Sequence, residues 1–160
     1  MRFVADIMLG RLAKWLRVLG FDTHYQSFDP IHHIGQMARG GRIPLTRQRK
    51  LIPFLEGAAF VRYNGVGEQL EQLKQALLLE SCHADWFSRC IRCNVPLMPA
   101  PEEAARDNIP EYVFYENMKS IRFCPSCGRY FWPGSHRIRM EKQLNRWGFF
   151  NPFLDLGSKS

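Results

Sequence analysis

The sequence predicts a small α/β domain with a parallel sheet, followed by a cysteine-rich domain. In the first half of the 160-residue chain, short apolar segments alternate with amphipathic segments of helical periodicity. That alternation is typical of a parallel sheet covered by helices. After residue 80 the composition changes to cysteines, prolines and aromatic residues, among them two C-x-x-C pairs. We therefore expect a first domain at residues 1–80 and a second at residues 81–160.

The first strand and helix are the clearest elements. Residues 2–6 read as a short buried strand that ends in Asp6. A helix is predicted at residues 8–19, because leucines recur there at helical spacing on one face and basic residues occupy the other. The leucines are Leu9, Leu12, Leu16 and Leu19, and the basic residues are Arg11, Lys14 and Arg17. Gly20 follows as a residue that commonly ends a helix.

The remaining elements of the first half alternate in the same way. Strands are predicted at residues 23–25, 43–45 and 58–63, and helices at residues 31–39 and 68–79. Pro44 has no backbone N–H, so we expect the third strand to be irregular or to lie at an edge. In the second half, helices are predicted at residues 102–107 and 137–146.

The four paired cysteines predict a structural zinc site formed by Cys90, Cys93, Cys124 and Cys127. Two tight turns that each carry two thiolates can complete a tetrahedron around Zn²⁺. Gly128 follows the second pair, where the backbone often needs a positive φ. The alternatives are two disulfides, which are typical of secreted chains, or one redox-active pair. No secretory signal is visible, so we expect a cytoplasmic protein in which Cys82 is a spectator thiol.

Composition narrows the classes of partner. At 46% hydrophobic residues the chain can bury a core, which excludes wholesale disorder. No apolar run approaches the ~20 residues that cross a bilayer, so we expect no membrane-spanning segment. The net charge of +7 favours phosphate polymers or anionic surfaces as partners.

Two segments of the first half suggest chemistry, and each has an ordinary structural alternative. Asp6 ends a parallel strand, where functional groups gather, and can hold Mg²⁺ or Mn²⁺ if further carboxylates converge on it. Equally, Asp6 suits the N-cap of the helix that follows. Residues 46–50, with the sequence TRQRK, can bind phosphate or can simply be the solvated start of a helix.

Several motifs resemble a known family. They are FVAD at residues 3–6, MLGRLAKWLRVLGFDT at 8–23, GRIPLTR at 41–47 and YFWPGSH at 130–136. Together with the cysteine pairs they closely resemble the Mut-seven C-terminal ribonuclease domain family over nearly the entire chain. The resemblance implies a PIN-like, three-layer nuclease fold with a fused zinc ribbon. It also implies metal-dependent cleavage of RNA, with Asp6 at the first acidic position of the family.

The chain departs from the family at its acidic positions. Gln48 stands where the Thr-Arg-Asp-Arg signature has aspartate, and a neutral amide supplies no anionic oxygen to a hard cation. The acidic run before the second helix is reduced to Asp29, so a catalytic Mg²⁺ or Mn²⁺ would depend on Asp6 and Asp29. His32 and His33 are substitute ligands in principle, but adjacent helix positions point ~100° apart. Asp22 follows the turn after the first helix and is expected to be structural.

The expected function is therefore an action on RNA. The residues expected to bind RNA are Arg11, Lys14, Arg17, Arg42, Thr46, Arg47 and Arg49. One interpretation is a metal-dependent endonuclease with weakened catalysis, and the alternatives are a non-catalytic RNA-binding module or an adaptor whose zinc ribbon binds another protein. Tyr130, Phe131 and Trp132 either stack on bases or pack the ribbon. His136 is a phosphate contact, a general acid or a helix cap.

Overall fold

A computed structural model describes residues 1–28, 30–79 and 85–151. Contacts divide the chain into two compact units, Met1–Asn94 and Val95–Ser160. The segment that carries the first cysteine pair thus belongs to the first unit. The domain boundary predicted after residue 80 falls among residues outside the described ranges and stays a prediction.

The first unit contains a parallel sheet with the strand order β2-β1-β3-β4, which confirms the predicted α/β class. Its strands are β1 (Arg2–Ala5), β2 (Asp22–His24), β3 (Ile43–Thr46) and β4 (Ala59–Phe60). Its helices are α1 (Gly10–Val18), α2 (Ile31–Arg39) and α3 (Val66–Leu77). Each helix follows a strand, as the alternating sequence pattern predicts.

Helices flank the sheet of the first unit. Helix α1 contacts α3, while α2 contacts β1 and β3. Neighbouring residues of β1 pack into different apolar clusters. The Phe3 ring meets the Phe21 ring edge to face, whereas Val4 packs with Ile34 and Leu55. The four leucines predicted for the buried face of the first helix are at most 2% exposed. Burial of each such side chain is worth about 1.5–3 kcal/mol.

Strand β3 is not an edge strand, so the edge position that Pro44 suggested is wrong. β3 lies between β1 and β4. The Leu45 carbonyl accepts from Asp6 on the β1 side, whereas the Thr46 carbonyl accepts from Val61 on the β4 side. Because alternate residues of a strand bond to opposite neighbours, Pro44 faces the β4 side. Strand β4 pairs only with Leu45 and Thr46, so the missing N–H of Pro44 leaves no ladder bond unmade.

The second unit contains a three-stranded antiparallel sheet in the order β5-β6-β7. Its strands are β5 (Met98–Pro99), β6 (Arg122–Phe123) and β7 (Tyr130–Phe131). Its helices are α4 (Glu102–Asn108), α5 (Glu111–Asn117) and α6 (Ser135–Arg146). The sequence predicts α4 and α6 but not α5. Among the described residues of both units, no helix is long and apolar enough to cross a membrane.

Candidate functional site

Asp6 lies at the carboxyl end of β1, and its side chain joins that end to the end of β3. The carboxylate is 2% exposed. Its Oδ1 accepts a hydrogen bond from the Met8 N–H at 2.8 Å. Its Oδ2 accepts from the Thr46 hydroxyl at 2.5 Å and from the Arg47 N–H at 3.0 Å. Asp6 therefore caps the 3₁₀ turn that precedes α1 and also bonds to the segment that follows β3.

This environment does not suit a divalent cation. The three hydrogen bonds occupy most of the roughly four lone-pair positions of the buried carboxylate, which leaves Asp6 little capacity to bind a cation as well. Within the described ranges, the only group of three or more His, Cys, Asp or Glu ligand atoms that could share one ion is formed by cysteines. Asp29, the second acid expected to hold Mg²⁺ or Mn²⁺, lies outside the described residues.

The segment that follows β3 is fixed in place by hydrogen bonds of its own side chains. Thr46 is fully buried, and its hydroxyl accepts from the Gln48 N–H at 3.0 Å while it donates to Asp6. Arg47 donates through a side-chain nitrogen to Asn64 Oδ1. Gln48 is half-buried and precedes the 3₁₀ turn Arg49–Phe54. Thr46 thus positions Asp6 and the chain that follows. The sequence predicts that Thr46 binds RNA, but its buried hydroxyl is not accessible to a phosphate.

The remaining cations of the predicted RNA-binding set divide into exposed and structural residues. Arg11, Lys14 and Arg49 are exposed, and the Arg49 guanidinium lies 5.0 Å from the centre of the Phe60 ring. Arg17 and Arg42 have other roles. The prediction that Arg17 lies on the exposed face of the first helix is wrong, because Arg17 is only 5% exposed.

Arg42 is paired with Asp22 instead of facing a ligand. Its guanidinium donates to both carboxylate oxygens of Asp22, at 2.7 and 2.9 Å, and to the Phe3 carbonyl at 3.1 Å. Asn94 also donates to Asp22, at 2.6 Å. Burial alone would raise the pKa of Asp22, but the hydrogen bonds from Arg42 and Asn94 outweigh it and hold this pKa below its ordinary value. Asp22 is therefore structural, as the sequence predicts.

The first cysteine pair forms a tight knuckle that is anchored on the first unit. The Cys93 N–H approaches the Cys90 sulfur at 3.4 Å, and the Asn94 N–H donates to the Cys90 carbonyl at 2.8 Å. Asn94 has a φ of 63°, a left-handed conformation that asparagine tolerates better than most residues. Its side-chain oxygen accepts from the Thr23 N–H at 2.9 Å. The sequence places Asn94 directly after the first pair as a turn residue, but its contacts with Thr23 and Asp22 were missed.

Arg17 lies beneath this knuckle. It donates to the carbonyls of Ile91 at 2.9 Å and Arg92 at 3.0 Å, which are the two residues between the cysteines. Burial lowers the pKa of the Arg17 guanidinium, and the negative charges of Cys90 and Cys93 oppose that shift. A buried cation next to thiolates stabilises their anionic form, which is the form that binds a metal.

The second cysteine pair repeats the geometry of the first. The Gly128 N–H donates to the Cys124 carbonyl at 2.8 Å, and Gly128 has a φ of 71°. This confirms the positive φ predicted for the residue after the pair. Such a turn points both sulfurs of a pair toward the same side.

The four cysteines meet the requirements of a zinc site. All four are free thiols, and their sulfur atoms lie within 4.8 Å of one another. Four sulfurs at ~2.3 Å from Zn²⁺ lie about 3.8 Å apart, so this cluster is close to the size that zinc needs. The four thiols together can hold a metal such as zinc, as in a zinc ribbon.

The aromatic segment near the second pair contributes to packing. Tyr130 and Trp132 pack against the core cluster of the second unit, and the Tyr130 hydroxyl donates to the Ala104 carbonyl at 3.2 Å.

The histidines considered as metal ligands or phosphate contacts are His32, His33 and His136. His24 and His33 meet edge to face, with ring centres 5.7 Å apart, while His32 is exposed. His136 is exposed in the first turn of α6.

The comparisons with known proteins place this chain in one family. A family model described as the Mut7-C RNAse domain matches residues 1–144 of the 160. No match was found among curated proteins or among solved structures. The matched residues include β1, Asp6, the segment after β3 and both cysteine pairs. The chain belongs to the Mut7-C RNAse domain family.

Proposed function

We propose that this protein binds RNA through the phosphate backbone, along the edge of the sheet where β1 and β3 end, and that its cleavage of RNA is weak or absent. Membership of a ribonuclease-domain family supports a nuclease-like action on RNA. The observation that carries the second part of the proposal is the buried Asp6 carboxylate, whose oxygens already accept three hydrogen bonds.

Exposed cations near that edge supply the charge for binding. Arg11 and Lys14 follow Asp6 on α1, and Arg49 follows the segment after β3. Because β1 and β3 are parallel neighbours, the segments that follow them start from the same edge of the sheet. Arginine and lysine at such positions bind phosphate oxygens without reading sequence.

Weak cleavage follows from the missing carboxylates. A Mg²⁺ or Mn²⁺ ion that activates water for attack on phosphorus needs several oxygen ligands, of which carboxylates are the main protein source. Gln48 replaces one of the family acids, and Asp6 is engaged in hydrogen bonds to the backbone and Thr46. The described residues therefore do not fit a catalytic divalent ion.

The cysteine cluster and the cellular location complete the proposal. Zn²⁺ is the ion that four thiolates at this spacing suit best, and its role is structural because all four tetrahedral positions would be filled by sulfur. Free cysteines fit a reducing, cytoplasmic environment. The adaptor interpretation, in which the ribbon binds another protein, stays an alternative prediction.

The test is the salt dependence of binding to a labelled single-stranded RNA. Replacing Arg11, Lys14 and Arg49 together by alanine should reduce the slope of log affinity against log salt by about 2, because each lost phosphate contact removes about 0.7. The matched control replaces Arg139, Lys142 and Arg146, three exposed cations of α6, which changes the net charge equally. Equal losses in both variants, or no loss in the first, would show that the edge is not the binding surface.

A further inference from the structure

A groove lies beside α2 that the proposed backbone contacts do not use. It has a volume of about 510 Å³ and runs between α2 and the 3₁₀ turn Arg49–Phe54. Ile31, Leu51 and Phe54 supply its apolar surface. The volume falls in the range of small-ligand sites, which is about 300–1,000 Å³.

Phe54 is the most exposed apolar side chain of this groove. Its side chain is 76% exposed, so the fold gains little from it. An aromatic ring held open to solvent in a concave site offers a flat surface for stacking, and nucleic-acid bases stack on such rings regardless of sequence.

Gly35 forms part of the same groove from the middle of α2. A Cβ added there would meet its nearest neighbours, Arg39 and Leu55, at 3.9 and 4.0 Å, which is ordinary contact distance. The fold therefore does not require glycine at this position, although glycine weakens a helix relative to alanine. The absence of a side chain instead keeps the groove open toward the helix backbone.

The charge of the groove favours an anionic occupant. His32, Arg39 and Lys50 contribute to its lining, and no acidic residue of the described ranges does so. Glu56 lines an adjoining cavity of about 360 Å³ that shares Gly35, Arg39 and Phe54 with the groove. An apolar, aromatic surface with cations beside it is complementary to a nucleotide, which has a flat base and a charged phosphate.

The groove is also continuous in sequence with the proposed RNA-binding edge. Lys50 directly follows Arg49, and α2 begins after the carboxyl end of β2. We propose that the groove holds one nucleotide of the bound RNA strand, with its base stacked on Phe54 beside Gly35 and its phosphate at Arg39 and Lys50. This inference rests on the proposed function, since it assigns a base-binding subsite to the same RNA.

The first test compares Phe54→Ala with Phe54→Tyr in the full-length protein. Phe54→Ala should weaken binding to single-stranded RNA about 5- to 150-fold, the range measured for loss of one base–aromatic stack. Its salt slope should stay unchanged, because stacking releases no counterions. Phe54→Tyr should retain affinity. An RNA with one abasic position at the right place should weaken binding to the natural protein and have no further effect on Phe54→Ala.

The second test fills the groove from the helix. Gly35→Leu should block the base and weaken RNA binding, and Gly35→Ala, with a smaller side chain, should weaken it less while raising the melting temperature. The nucleotide-binding proposal would be overturned if Phe54→Ala and Gly35→Leu both kept full RNA affinity while the Arg11, Lys14 and Arg49 triple variant lost it. That result would leave the proposed backbone-binding edge intact. A natural protein that binds no RNA would overturn both proposals.

Discussion

At the scale of single residues, hydrogen-bond partners separate structural groups from functional ones. Three residues that suggest chemistry in the sequence are Asp6, Thr46 and Arg17. Each is buried and makes hydrogen bonds to backbone groups, and Asp6 and Thr46 also bond to each other. Arg11 and Lys14, which the sequence shows on the same helix as Arg17, are exposed. Position on a helix thus predicts amphipathicity, but it does not reveal which cation a later segment will cover.

Gln48 offers a direct test of the weakened-catalysis interpretation. Gln48→Asp returns an anionic oxygen to the segment after β3 and should raise Mn²⁺-dependent cleavage of single-stranded RNA on the order of 10-fold, as single changes around metal sites typically do. The measurement is the initial rate of cleavage of a labelled RNA. Gln48→Glu is the control, because it restores the same charge on a side chain that is one methylene longer than aspartate. No gain in either variant would mean that the loss of catalysis extends beyond this position.

Asp22 gives a prediction for pH. Asp22→Asn should lower the free energy of unfolding at pH 7 by about 1.5–3 kcal/mol, because it removes a charged partner from Arg42. The pKa of Asp22 is lower in the folded protein than its ordinary value of 3.8, so its stabilising effect is present above that value and is lost as the pH falls through the folded pKa.

The check is chemical denaturation of the natural protein and Asp22→Asn at several pH values. The difference between the two should shrink toward zero in acid. A difference that stays constant down to the most acidic condition would contradict the assigned role of Asp22.

At the scale of elements, the sequence predicts the first unit well. Helix α2 has the predicted bounds, and α1 and α3 differ from their predictions by about two residues at their ends. Helix α5 is missed because its seven residues hold one continuous block of four apolar or aromatic side chains, which is too short to show a helical period. Pro44 misleads because only the structure shows that β4 is too short to need its N–H.

The candidate site is less predictable than the fold for a physical reason. The sequence shows which residues can bind a metal or phosphate, but burial and pairing depend on segments that are distant in the chain. Arg17 is covered by residues 91 and 92, and Asp22 is paired with Arg42 and Asn94. The cysteine pairs are predictable because each knuckle is local, with its own turn geometry.

The knuckles make a prediction for metal content. Purified protein should contain one equivalent of Zn²⁺, and Cys90→Ser or Cys127→Ser should reduce both the zinc content and the melting temperature, because binding of the metal stabilises the fold. Cys82→Ser is the matched control and should retain zinc. Elemental analysis and thermal denaturation provide the measurements. Protein without zinc, or equal loss in the Cys82 variant, would contradict the four-cysteine site.

At the scale of the whole molecule, charge is spread along the chain. Residues 1–80 carry 11 Lys and Arg against 7 Asp and Glu, and residues 81–160 carry 11 against 8. Net charge therefore favours phosphate polymers as partners in general, but it does not select a surface. The family match spans the first unit and residues 95–144 of the second, so the proposed RNA-binding edge and the cysteine cluster both lie within the matched domain.

The central claim is that this chain holds RNA without cutting it efficiently. The most direct measurement incubates labelled single-stranded RNA with the natural protein in Mg²⁺ or Mn²⁺, and follows binding and cleavage in the same sample with and without chelator. The account predicts a salt-sensitive complex in which the RNA stays largely intact. Rapid cleavage that a chelator stops, and that added Mg²⁺ or Mn²⁺ restores, would contradict it.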